Sequence, residues 1–479
     1  MNYQVPQHIN KDKVFIVKKS EIEGRLEPNF YRPSIATLEN KIRSLSSKRL
    51  RSYAQSFAGG ATPSKREFEK YYSDTQTGIP FLRVQNLQTN GELLLNECIY
   101  INEETHNGLL KRSQVSEGDL LVKITGVGRM AIASVAPKDF VGNTNQHMVV
   151  IKTGNSAVSK YLAHYLNLDI IEKIASRHST GGTRPALDYH SLKNIPIIEG
   201  LDFSIIDNAI KAKKAKEVEA QQLLDSIDGY LLKELGINII DKENNDVSNN
   251  IFVVNINSLE RGRLDSSYFE PKYHVLNSCI ENGKYPLYKL DNITSFISTG
   301  TTPKSSDYSE KQTMFPIIKA GSYTGFEIDL DKVAYTTKKQ YYSVQKNDIF
   351  ILSAAHQSEY IAKQICYLSE YPKPNTSFVG ELLCIRAKKD INPMFLYSLL
   401  STSIYKTLLN REKRGQTSHL YAQDVRHIRI PIPPINKQNT IAEHIKSLRM
   451  NAKALQAEGK AILEDAKRKV EEMIIGLSL

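Results

Sequence analysis

The sequence is poor in cysteine and contains no long apolar run. Its four cysteines, Cys98, Cys279, Cys366 and Cys384, are scattered without C-x-x-C or Cys/His spacing. This argues against a disulfide framework and a zinc site, and predicts that most of them are small core residues. No apolar run approaches the roughly 18 to 20 residues that span a bilayer, and the N-terminal sequence lacks a secretory-type segment. We therefore expect a cytoplasmic protein.

Sequence motifs for nucleotide or metal chemistry are also missing. There is no G-x-x-x-x-G-K-[ST] phosphate loop, no G-x-G-x-x-G opening a helix after a strand, and no H-E-x-x-H. The glycine-rich Thr125–Ala131 lacks a third glycine and a helical context, which favours a tight turn. The Asn/Asp-Pro-Pro-aromatic tetrapeptide of amino-directed DNA methyltransferases is absent, because Pro433-Pro434 lies between two isoleucines. We expect a chain without its own catalytic or metal site.

Basic residues are in excess. The chain has 479 residues, 41% of them hydrophobic, with 63 lysines and arginines against 52 acidic residues and a formal net charge of +11. Basic proteins favour polyanionic partners, because neutralising phosphates releases counterions. Spread over this length the excess is modest, so charge alone leaves nucleic-acid binding open.

The most informative positive feature is an internal duplication. Val14–Pro33, VFIVKKSEIEGRLEPNFYRP, aligns with Ile251–Pro271, IFVVNINSLERGRLDSSYFEP. Further landmarks recur in the same order: Thr62-Pro63 with Thr302-Pro303, Pro80 with Pro316, Asp119-Leu120 with Asp348-Ile349, and Leu187 with Leu420. A repeated unit of this length is a whole domain rather than a solenoid repeat. The chain is therefore predicted to present two related surfaces.

Each copy begins with a region of mixed secondary structure. Short apolar stretches bounded by Gly, Pro or Asn predict strands in the first copy at Gly78–Leu87, Glu117–Gly128 and His147–Gly154, and in the second at Phe315–Gly321, Lys346–Ala354 and Glu381–Lys388. Helical patterns cover Ser159–Arg177 and Asn392–Leu409. The predicted fold class is mixed α/β (α+β), with the same fold in both copies.

A long helix is predicted after each copy. Apolar positions in the second helix alternate in steps of four and three, with Lys469 as the only interruption: Ile441, Ile445, Leu448, Ala452, Leu455, Gly459, Ile462, Ala466 and Met473. Phe203–Leu235 carries a weaker seam at Ile206, Ile210, Ala220, Leu224, Ile227 and Leu231, broken by Lys213 and Glu217. We expect the two helices to pair antiparallel, the alternative being that each packs on its own domain. A helix of about 32 residues is roughly 48 Å long, which suits a spacer along DNA.

Polar and basic side chains cluster at the ends of the predicted strands. Arginine and lysine pair with guanine in the major groove, and asparagine and glutamine pair with adenine, so these side chains suit base readout. The alternative is that they belong to ordinary polar surface loops. The turns within His178–Ile197 and Lys413–Pro434 add glycines, hydroxyls and a basic residue, which suit phosphate binding. The candidate DNA contacts are Lys65, Arg83, Gln85, Asn86, Lys123, Thr125, Arg129, Asn145, Gln146, Thr183, Arg184, Lys304, Lys319, Ser322, Tyr323, His356, Gln357, Arg414, Gln416, Thr417 and His419.

The order GIPFLRVQNL, GDLLVKITGVGRMAIASV, GNTNQHMVVIK and GGTRPALDYHSLKNIPI, followed by a long helix and then repeated with variation, resembles the specificity subunit of type I restriction-modification systems. The second copy ends in IPIPPINKQNTIAEHI, which is typical of the passage into the spacer helix of such subunits. The resemblance covers nearly the full chain. It implies target-recognition domains at 1–201 and 238–434, with pseudo-twofold symmetry, and antiparallel coiled-coil spacer helices at 202–237 and 435–479.

The resemblance further implies that each domain reads one half of an asymmetric bipartite DNA sequence. The helices would dock two modification subunits, which use S-adenosylmethionine to methylate a flipped adenine in each half-site. Restriction would need motor-nuclease subunits that use ATP and magnesium, so no cofactor is expected on this chain. The helix positions concerned are Ile206, Ile210, Leu224, Ile227, Leu231, Ile441, Ile445, Leu448, Leu455 and Ile462.

The two copies differ in the loops that follow their strands. KAGSYTG at Lys319–Gly325 stands where the first copy has RVQNLQTNG, and SAAHQSEYIA stands where it has TGVGRMAIA. Such differences suit two unlike half-sites. Other hypotheses stay open: the specificity subunit of a type IIB-like system, favoured by the RLD-x-x-YF-x-P form at Arg263–Pro271, a two-domain DNA-binding regulator, or an adaptor that does not bind DNA.

Overall fold

The chain folds into two compact units. The computed structural model describes residues 6, 8–46, 48–96, 98–239, 253–255, 263–355, 358–415 and 418–476. The first unit is formed from Met1–Glu217 and Gln456–Leu479, and the second from Val218–Leu455. Each of the two long helices therefore contributes one segment to each unit.

The first unit holds two main sheets with helices packed against them. Its helices are Pro33–Ser44 (α1), Phe68–Tyr71 (α2), Glu103–Asn107 (α3), Ser156–Leu166 (α4), Asp169–Arg177 (α5) and Tyr189–Lys193 (α6), followed by the long helix Ser204–Leu235 (α7). Its strands are Lys48–Arg49 (β1), Ser56–Gly59 (β2), Tyr72–Ser73 (β3), Ile79–Leu82 (β4), Ile99–Ile101 (β5), Gln114–Ser116 (β6), Leu120–Lys123 (β7), Ala133–Val135 (β8), Val141–Thr144 (β9), Met148–Lys152 (β10) and Pro196–Ile197 (β11).

Central strands β7 and β10 are buried almost throughout, as expected for continuous Val, Leu and Ile runs. They lie in a four-stranded antiparallel sheet of order β2-β10-β7-β8. The other sheet has the order β3-β5-β4-β9-β6, and only its β4–β9 pair is parallel.

The second unit has a closely similar set of elements. Its strands are Leu287–Lys289 (β12), Thr294–Thr299 (β13), Tyr308–Ser309 (β14), Pro316–Ile318 (β15), Tyr323–Thr324 (β16), Glu327–Ile328 (β17), Ala334–Thr336 (β18), Ile349–Leu352 (β19), Ile365–Tyr367 (β20), Ser377–Phe378 (β21), Leu382–Ala387 (β22) and Arg429–Pro431 (β23). Its helices are Pro271–Glu281 (α8), Leu290–Ile293 (α9), Pro393–Leu400 (α10), Ser403–Arg411 (α11) and Ala422–Val425 (α12), followed by the long helix Ile435–Gly476 (α13).

Strand order confirms that both copies have one mixed α/β fold. The order β13-β22-β19-β20 repeats β2-β10-β7-β8, and β14-β18-β15-β21 repeats β3-β5-β4-β9. The parallel pair recurs as β15–β21. The second unit adds β17 and β16 beside β20, whereas the first adds β6 beside β9.

The repeated aspartate landmark, Asp119 in the first copy and Asp348 in the second, has a clear structural cause. Asp119 accepts the backbone N–H of Ser116 at 2.8 Å and pairs with Lys152 at 2.7 Å. Its counterpart Asp348 accepts the N–H of Gln345 and pairs with Arg386, both at 2.7 Å. Each acid therefore closes the turn before a central strand and fixes it to the neighbouring strand.

Gly60 and Gly300 mark a close approach of backbones in both units. A Cβ atom on Gly60 would overlap the carbonyl oxygen of Thr144, and one on Gly300 would overlap that of Phe378. Only glycine leaves room for the strands that carry these carbonyls. The adjacent Thr-Pro pairs were recognised as repeat landmarks, but the glycines were not.

The helical stretches predicted at Ser159–Arg177 and Asn392–Leu409 are each broken into two helices. In the first unit the break lies at Asn167, whose side chain donates to the carbonyl of Ala133 at 2.7 Å and accepts its N–H at 3.1 Å. In the second unit Thr402 begins the new helix and accepts the N–H of Tyr405 at 3.4 Å. Both side chains use hydrogen bonds that compete with a continuous helix.

In the first unit, the start of α7 and the end of α13 share one hydrophobic core. Ile206 and Ile210 are buried there together with residues of α13 such as Val470. A Cβ on Gly459 would lie 3.3 Å from the backbone of Lys213, so the two segments come close where the seam has its glycine. Lys216 pairs with Glu458 at 2.8 Å.

In the second unit, the end of α7 and the start of α13 likewise share a core. Ile227, Leu231, Ile441 and Ile445 are all buried in it. The ring of Tyr230 lies 4.2 Å from that of His444.

The predicted seam of the last helix needs a correction beyond Gly459. Met473 is 59% exposed, whereas Leu463, Val470 and Ile474 are buried at 2%, 2% and 0%. The buried line therefore moves by one residue, because a straight helix has about 3.6 residues per turn and drifts from a strict heptad. Lys469, the apparent interruption, lies outside this line.

Candidate nucleic-acid interface

Four loops of the first unit meet beyond one end of strand β7. The N–H of Ile124 donates to the carbonyl of His147 at 2.9 Å, and the N–H of Leu187 donates to that of Ile124 at 2.8 Å. The N–H of Asn145 donates to the carbonyl of Leu82 at 3.2 Å. The loops after β4, β7 and β9 and the segment after α5 therefore form one edge, which we call the first loop edge.

The glycine turn at this edge is tight, as predicted. Gly126 and Gly128 have φ values of 118° and 81°. Lys123 is 3% exposed, and its ammonium donates to the carbonyl of Val127 at 2.8 Å. Burial lowers the pKa of Lys123, and Glu172 partly opposes this. Lys123 therefore closes the turn and is not open to DNA, whereas Thr125 is half-buried.

The loop after β4 contains both a supporting and an exposed amide. Asn86 is 1% exposed, accepts the N–H of Arg83 at 2.8 Å and donates to the carbonyl of Leu94 at 2.8 Å. Its amide groups are used within the fold, which argues against a base contact. Gln85 is exposed, and Arg83 is half-buried.

The loop after β9 shows the same division. Asn145 is 7% exposed and accepts the N–H of His147 at 3.1 Å, so it too supports the loop. Gln146 is exposed, and its Oε1 accepts a hydrogen bond from Thr62 at 2.5 Å. Burial, together with the charge of Arg184, lowers the pKa of His147.

Two predicted arginines at this edge have different environments. Arg129 is bound to the carboxylate of Asp169 and to the carbonyl of Asn167. Arg184 is exposed next to the exposed Thr183, and it forms no ion pair among the described residues. Lys65 is likewise exposed. Arg184 is therefore better placed than Arg129 to meet a phosphate.

The second unit builds an equivalent edge, the second loop edge. The N–H of Leu420 donates to the carbonyl of Ser353 at 2.8 Å, and the N–H of Val379 donates to that of Ile318 at 3.1 Å. Arg414 and His419 exchange backbone hydrogen bonds of 2.8 Å. These contacts repeat those of Leu187, Asn145 and the Thr180–Ala186 pair in the first unit.

Side chains at the second loop edge divide in the same way. Ser322 is buried and accepts the N–H of Lys319 at 3.3 Å, which is the contact that Asn86 makes in the first unit. The hydroxyl of Tyr323 is buried, and burial raises its pKa. Lys304 and Lys319 are exposed, and the ammonium of Lys319 lies 4.7 Å above the ring of Tyr308.

The remaining predicted contacts of the second unit follow β19 or α11 in the sequence. Arg414 pairs with the buried Asp424, and the ring of His419 stacks on that of Tyr421 at 5.8 Å. His356, Gln357, Gln416 and Thr417 lie outside the described residues.

Sequence reasoning missed the threonines that fasten each edge. Thr302 accepts the N–H of Gly380 at 3.1 Å and bonds to Glu381 at 3.0 Å, as Thr62 bonds to Gln146. Their recurrence as Thr-Pro in both copies was the available signal. Their role as anchors could not be read from the sequence, because it depends on where the loop after β9 or β21 lies in the folded unit.

The apolar helix positions proposed for partner docking are mostly used within the chain. Ile206, Ile210, Ile227, Leu231, Ile441 and Ile445 are buried in the unit cores, and Leu224, Leu448 and Ile462 are partly buried against them. Leu455 is half-buried outside these cores. Partner docking by the exposed helix faces stays a prediction.

The described residues contain neither a membrane-spanning helix nor a metal-binding cluster. No helix there is long and apolar enough to cross a membrane. No group of three or more His, Cys, Asp or Glu side chains in the same residues is arranged to hold a metal ion.

The duplicated α/β fold, with polar loops gathered at one edge of each unit, defines a two-domain recognition protein. The family model described as type I restriction modification DNA specificity domain matches residues 46–198 and 282–464. The chain belongs to this family, and its two matches fall one in each copy. The resemblance noted in the sequence is therefore confirmed.

Solved structures give weaker likenesses. The chain is similar to the S subunit of a type I restriction-modification system from M. genitalium, with 14% identity and a TM-score of 0.38 over 88% of this chain and 95% of that one. It is also similar to the HsdS subunit from Thermoanaerobacter tengcongensis, with 13% identity and a TM-score of 0.34 over 89% and 95%. No curated protein matches the chain.

Proposed function

We propose that the chain is the specificity subunit of a type I restriction-modification complex and reads a bipartite, asymmetric DNA site, one half with each loop edge. The observation that carries this proposal is the repeated loop edge, in which equivalent backbone contacts present different side chains. Arg83 and Gln85 stand at the first edge where Lys319 and Gly321 stand at the second. Related folds that expose unlike donors and acceptors suit two unlike half-sites.

Exposed cations support contact with DNA phosphates. Arg184 at the first edge, Lys319 at the second, and Lys65 and Lys304 in the loops after β2 and β13 are exposed and form no ion pair among the described residues. An unpaired exposed cation can release a phosphate counterion without first breaking an intramolecular bond. The buried Lys123 and the paired Arg414 are weaker candidates.

The two long helices supply the rest of the proposal. Helix α7 gives its start to the first unit and its end to the second, whereas α13 does the reverse. This exchange of ends favours antiparallel pairing. We propose that the helices space the two readers and dock two modification subunits. S-adenosylmethionine, ATP and magnesium would be bound by the modification and restriction subunits, and this chain would supply recognition without catalysis.

Methylation profiling tests the proposal. The chain is expressed in a methylation-free host with the methyltransferase encoded beside it, and the host genome is sequenced with detection of modified adenine. We expect one asymmetric bipartite motif that disappears when this chain is deleted. A chain with the second unit exchanged for that of a relative serves as the matched control, because only one half of the motif should then change.

Other outcomes separate the alternatives. An unchanged methylome with sequence-specific DNA binding by the chain alone would indicate a regulator. An unchanged methylome without DNA binding would indicate an adaptor. A methylated motif accompanied by cleavage from a single partner polypeptide would indicate a type IIB-like system.

A further inference from the structure

The repeated Gly-Arg-Leu segments place an arginine against the same backbone position in each unit. Arg25 donates to the carbonyls of His178 at 3.3 Å and Ser179 at 3.0 Å. Arg263 donates to the carbonyls of Glu412 at 3.3 Å and Lys413 at 3.0 Å. These carbonyls directly follow α5 and α11, so one guanidinium holds two consecutive carbonyls beyond a helix end in both units.

An aromatic ring fixes each guanidinium in place. The guanidinium carbons of Arg25 and Arg177 lie 4.6 Å and 4.5 Å from the centroid of the Phe30 ring. Those of Arg263 and Arg411 lie 4.4 Å and 3.8 Å from the centroid of the Tyr268 ring. Arg177 and Arg411 are the last residues of α5 and α11. Each ring therefore contacts two cations, one from five residues earlier in the chain and one from the helix end.

An acidic residue two positions later completes both arrangements. Asp265 accepts from Nε of Arg263 at 2.7 Å, and Glu27 accepts from that of Arg25 at 3.4 Å. We call the three parts together, the arginine, the ring and the acid, the arginine clamp. The pattern Arg-Leu-acid, which both copies share, is the sequence feature that corresponds to this clamp.

The clamped carbonyls begin the segments that cross the loop edges. In the first unit the segment runs from His178 past Thr183 and Arg184 to Leu187, whose N–H is bonded to the end of β7. In the second unit the described residues 412–415 follow the clamp and carry Arg414, and the described residues 418–420 carry His419 and Leu420, which is bonded to Ser353. In both units the clamp therefore holds the residues directly after the helix, and a later leucine is bonded to the sheet.

We propose that Arg25 and Arg263 are positioning residues that set sequence discrimination, each for the half-site read by its own unit. This inference rests on the proposed function. The carbonyls that each arginine holds belong to the two residues after a helix, beside the negative end of the helix dipole, so a cation there is favourable. A guanidinium reaches two acceptors in a fixed plane, whereas the ammonium of lysine is a point charge on a flexible stem. Replacement by lysine keeps the positive charge but no longer fixes both carbonyls, so the segment can leave the helix in more than one direction.

The test uses the chain in complex with its methyltransferase partner. Methylation rates are measured on the matched duplex and on duplexes with one base changed in either half. R25K should reduce discrimination against changes in the first half about tenfold, within the range of one good base contact, and leave the second half unchanged. R263K should do the converse. R49K is the matched control, because Arg49 also donates to two backbone carbonyls, those of Ser46 at 3.4 Å and Lys48 at 3.1 Å, which are not the carbonyls that Arg25 holds.

The outcomes are distinguishable. Equal losses at both halves, or lower rates with unchanged discrimination, would mean that the clamp only stabilises its unit and would overturn the inference. If R25K does not fold, R263K in the other unit decides the question independently. A wild-type complex that does not discriminate between matched and changed duplexes would refute the proposed function itself rather than the clamp.

Discussion

The buried carboxylate of Glu39 offers a test of how the first unit is held together. Glu39 on α1 is 1% exposed and lies where the end of α5 packs against α1. It accepts hydrogen bonds from Arg43 at 2.8 Å, from Arg177 at 2.6 Å and from His178 at 2.9 Å. One carboxylate thus joins α1 to the end of α5, directly beside the arginine clamp.

The magnitude follows from the pKa of this carboxylate. Burial alone would raise it, but hydrogen bonds and charges from His178 and Arg43 outweigh burial and lower the pKa of Glu39 from 4.5 to about 2. At about 1.36 kcal/mol per pKa unit this corresponds to roughly 3 kcal/mol of stability near neutral pH. Because the folded-state pKa is depressed, the contribution is complete above pH 5 and is lost as pH falls toward 2.

E39Q should therefore destabilise the first unit by about 3 kcal/mol at pH 7, since it leaves three donors around a neutral amide. Hydrogen exchange with mass spectrometry locates the effect, because the chain contains no tryptophan to report on one unit. We expect the amides of α1 and α5 to open about 100-fold more often, with those of the second unit unchanged. E67Q is the matched control, because Glu67 pairs with Lys70 at 3.4 Å while 50% exposed, where ion pairs contribute little.

Two results would contradict this reasoning. The first is exchange in E39Q within threefold of the wild type. The second concerns pH: in urea unfolding, the gap between wild type and E39Q should shrink by about half between pH 7 and pH 3, as Glu39 becomes protonated in the unfolded chain. A gap that stays constant would show that Glu39 acts through shape rather than charge.

Two further predictions concern features that occur in both units. G60A and G300A should each disrupt its own unit, because the added Cβ overlaps a backbone carbonyl, whereas the controls G182A and G321A meet nothing within 4 Å; circular dichroism and hydrogen exchange would show this, and a native-like G60A would contradict it. E471A and D228A should each cost about 1 kcal/mol, because Glu471 accepts the N–H groups of Asp169 and Ile170 at the start of α5, and Asp228 accepts that of Ser403 at the start of α11. Exchange should rise locally in α5 or α11. The control substitutions E472A on α13 and D225A on α7, at exposed positions of the helices that carry Glu471 and Asp228, should leave exchange unchanged.

Strands and repeat landmarks were accessible from the sequence because burial and turn chemistry are local. The predicted strands around β4, β7 and β10 exist, since apolar runs bounded by glycine or proline leave few alternatives. The burial of Asn86, Asn145, Lys123 and Ser322 was not accessible, because it depends on which backbone groups the loops bring within reach. A polar residue after a strand can read a ligand or support its own loop, and both roles use the same side-chain types.

Comparison of the two copies separates these roles where one sequence cannot. Positions with the same residue in both copies, such as Gly60 and Gly300 or Arg25 and Arg263, make the same backbone contact in each unit. Leu26 and Leu264 are an exception, since they are 83% and 80% exposed.

Some solvent-accessible positions at the loop edges follow the opposite trend, because their residues change between the copies while the backbone contacts around them do not. The backbone N–H of Arg83 and that of Lys319 each donate to a side chain three residues later. The side chains themselves differ, because Arg83 has a planar guanidinium and Lys319 a single ammonium. An arginine fork specifies guanine geometrically, whereas a lysine tolerates more arrangements. The duplication thus keeps the backbone frame constant and varies the side chains that it presents, as the proposed recognition of an asymmetric site would require.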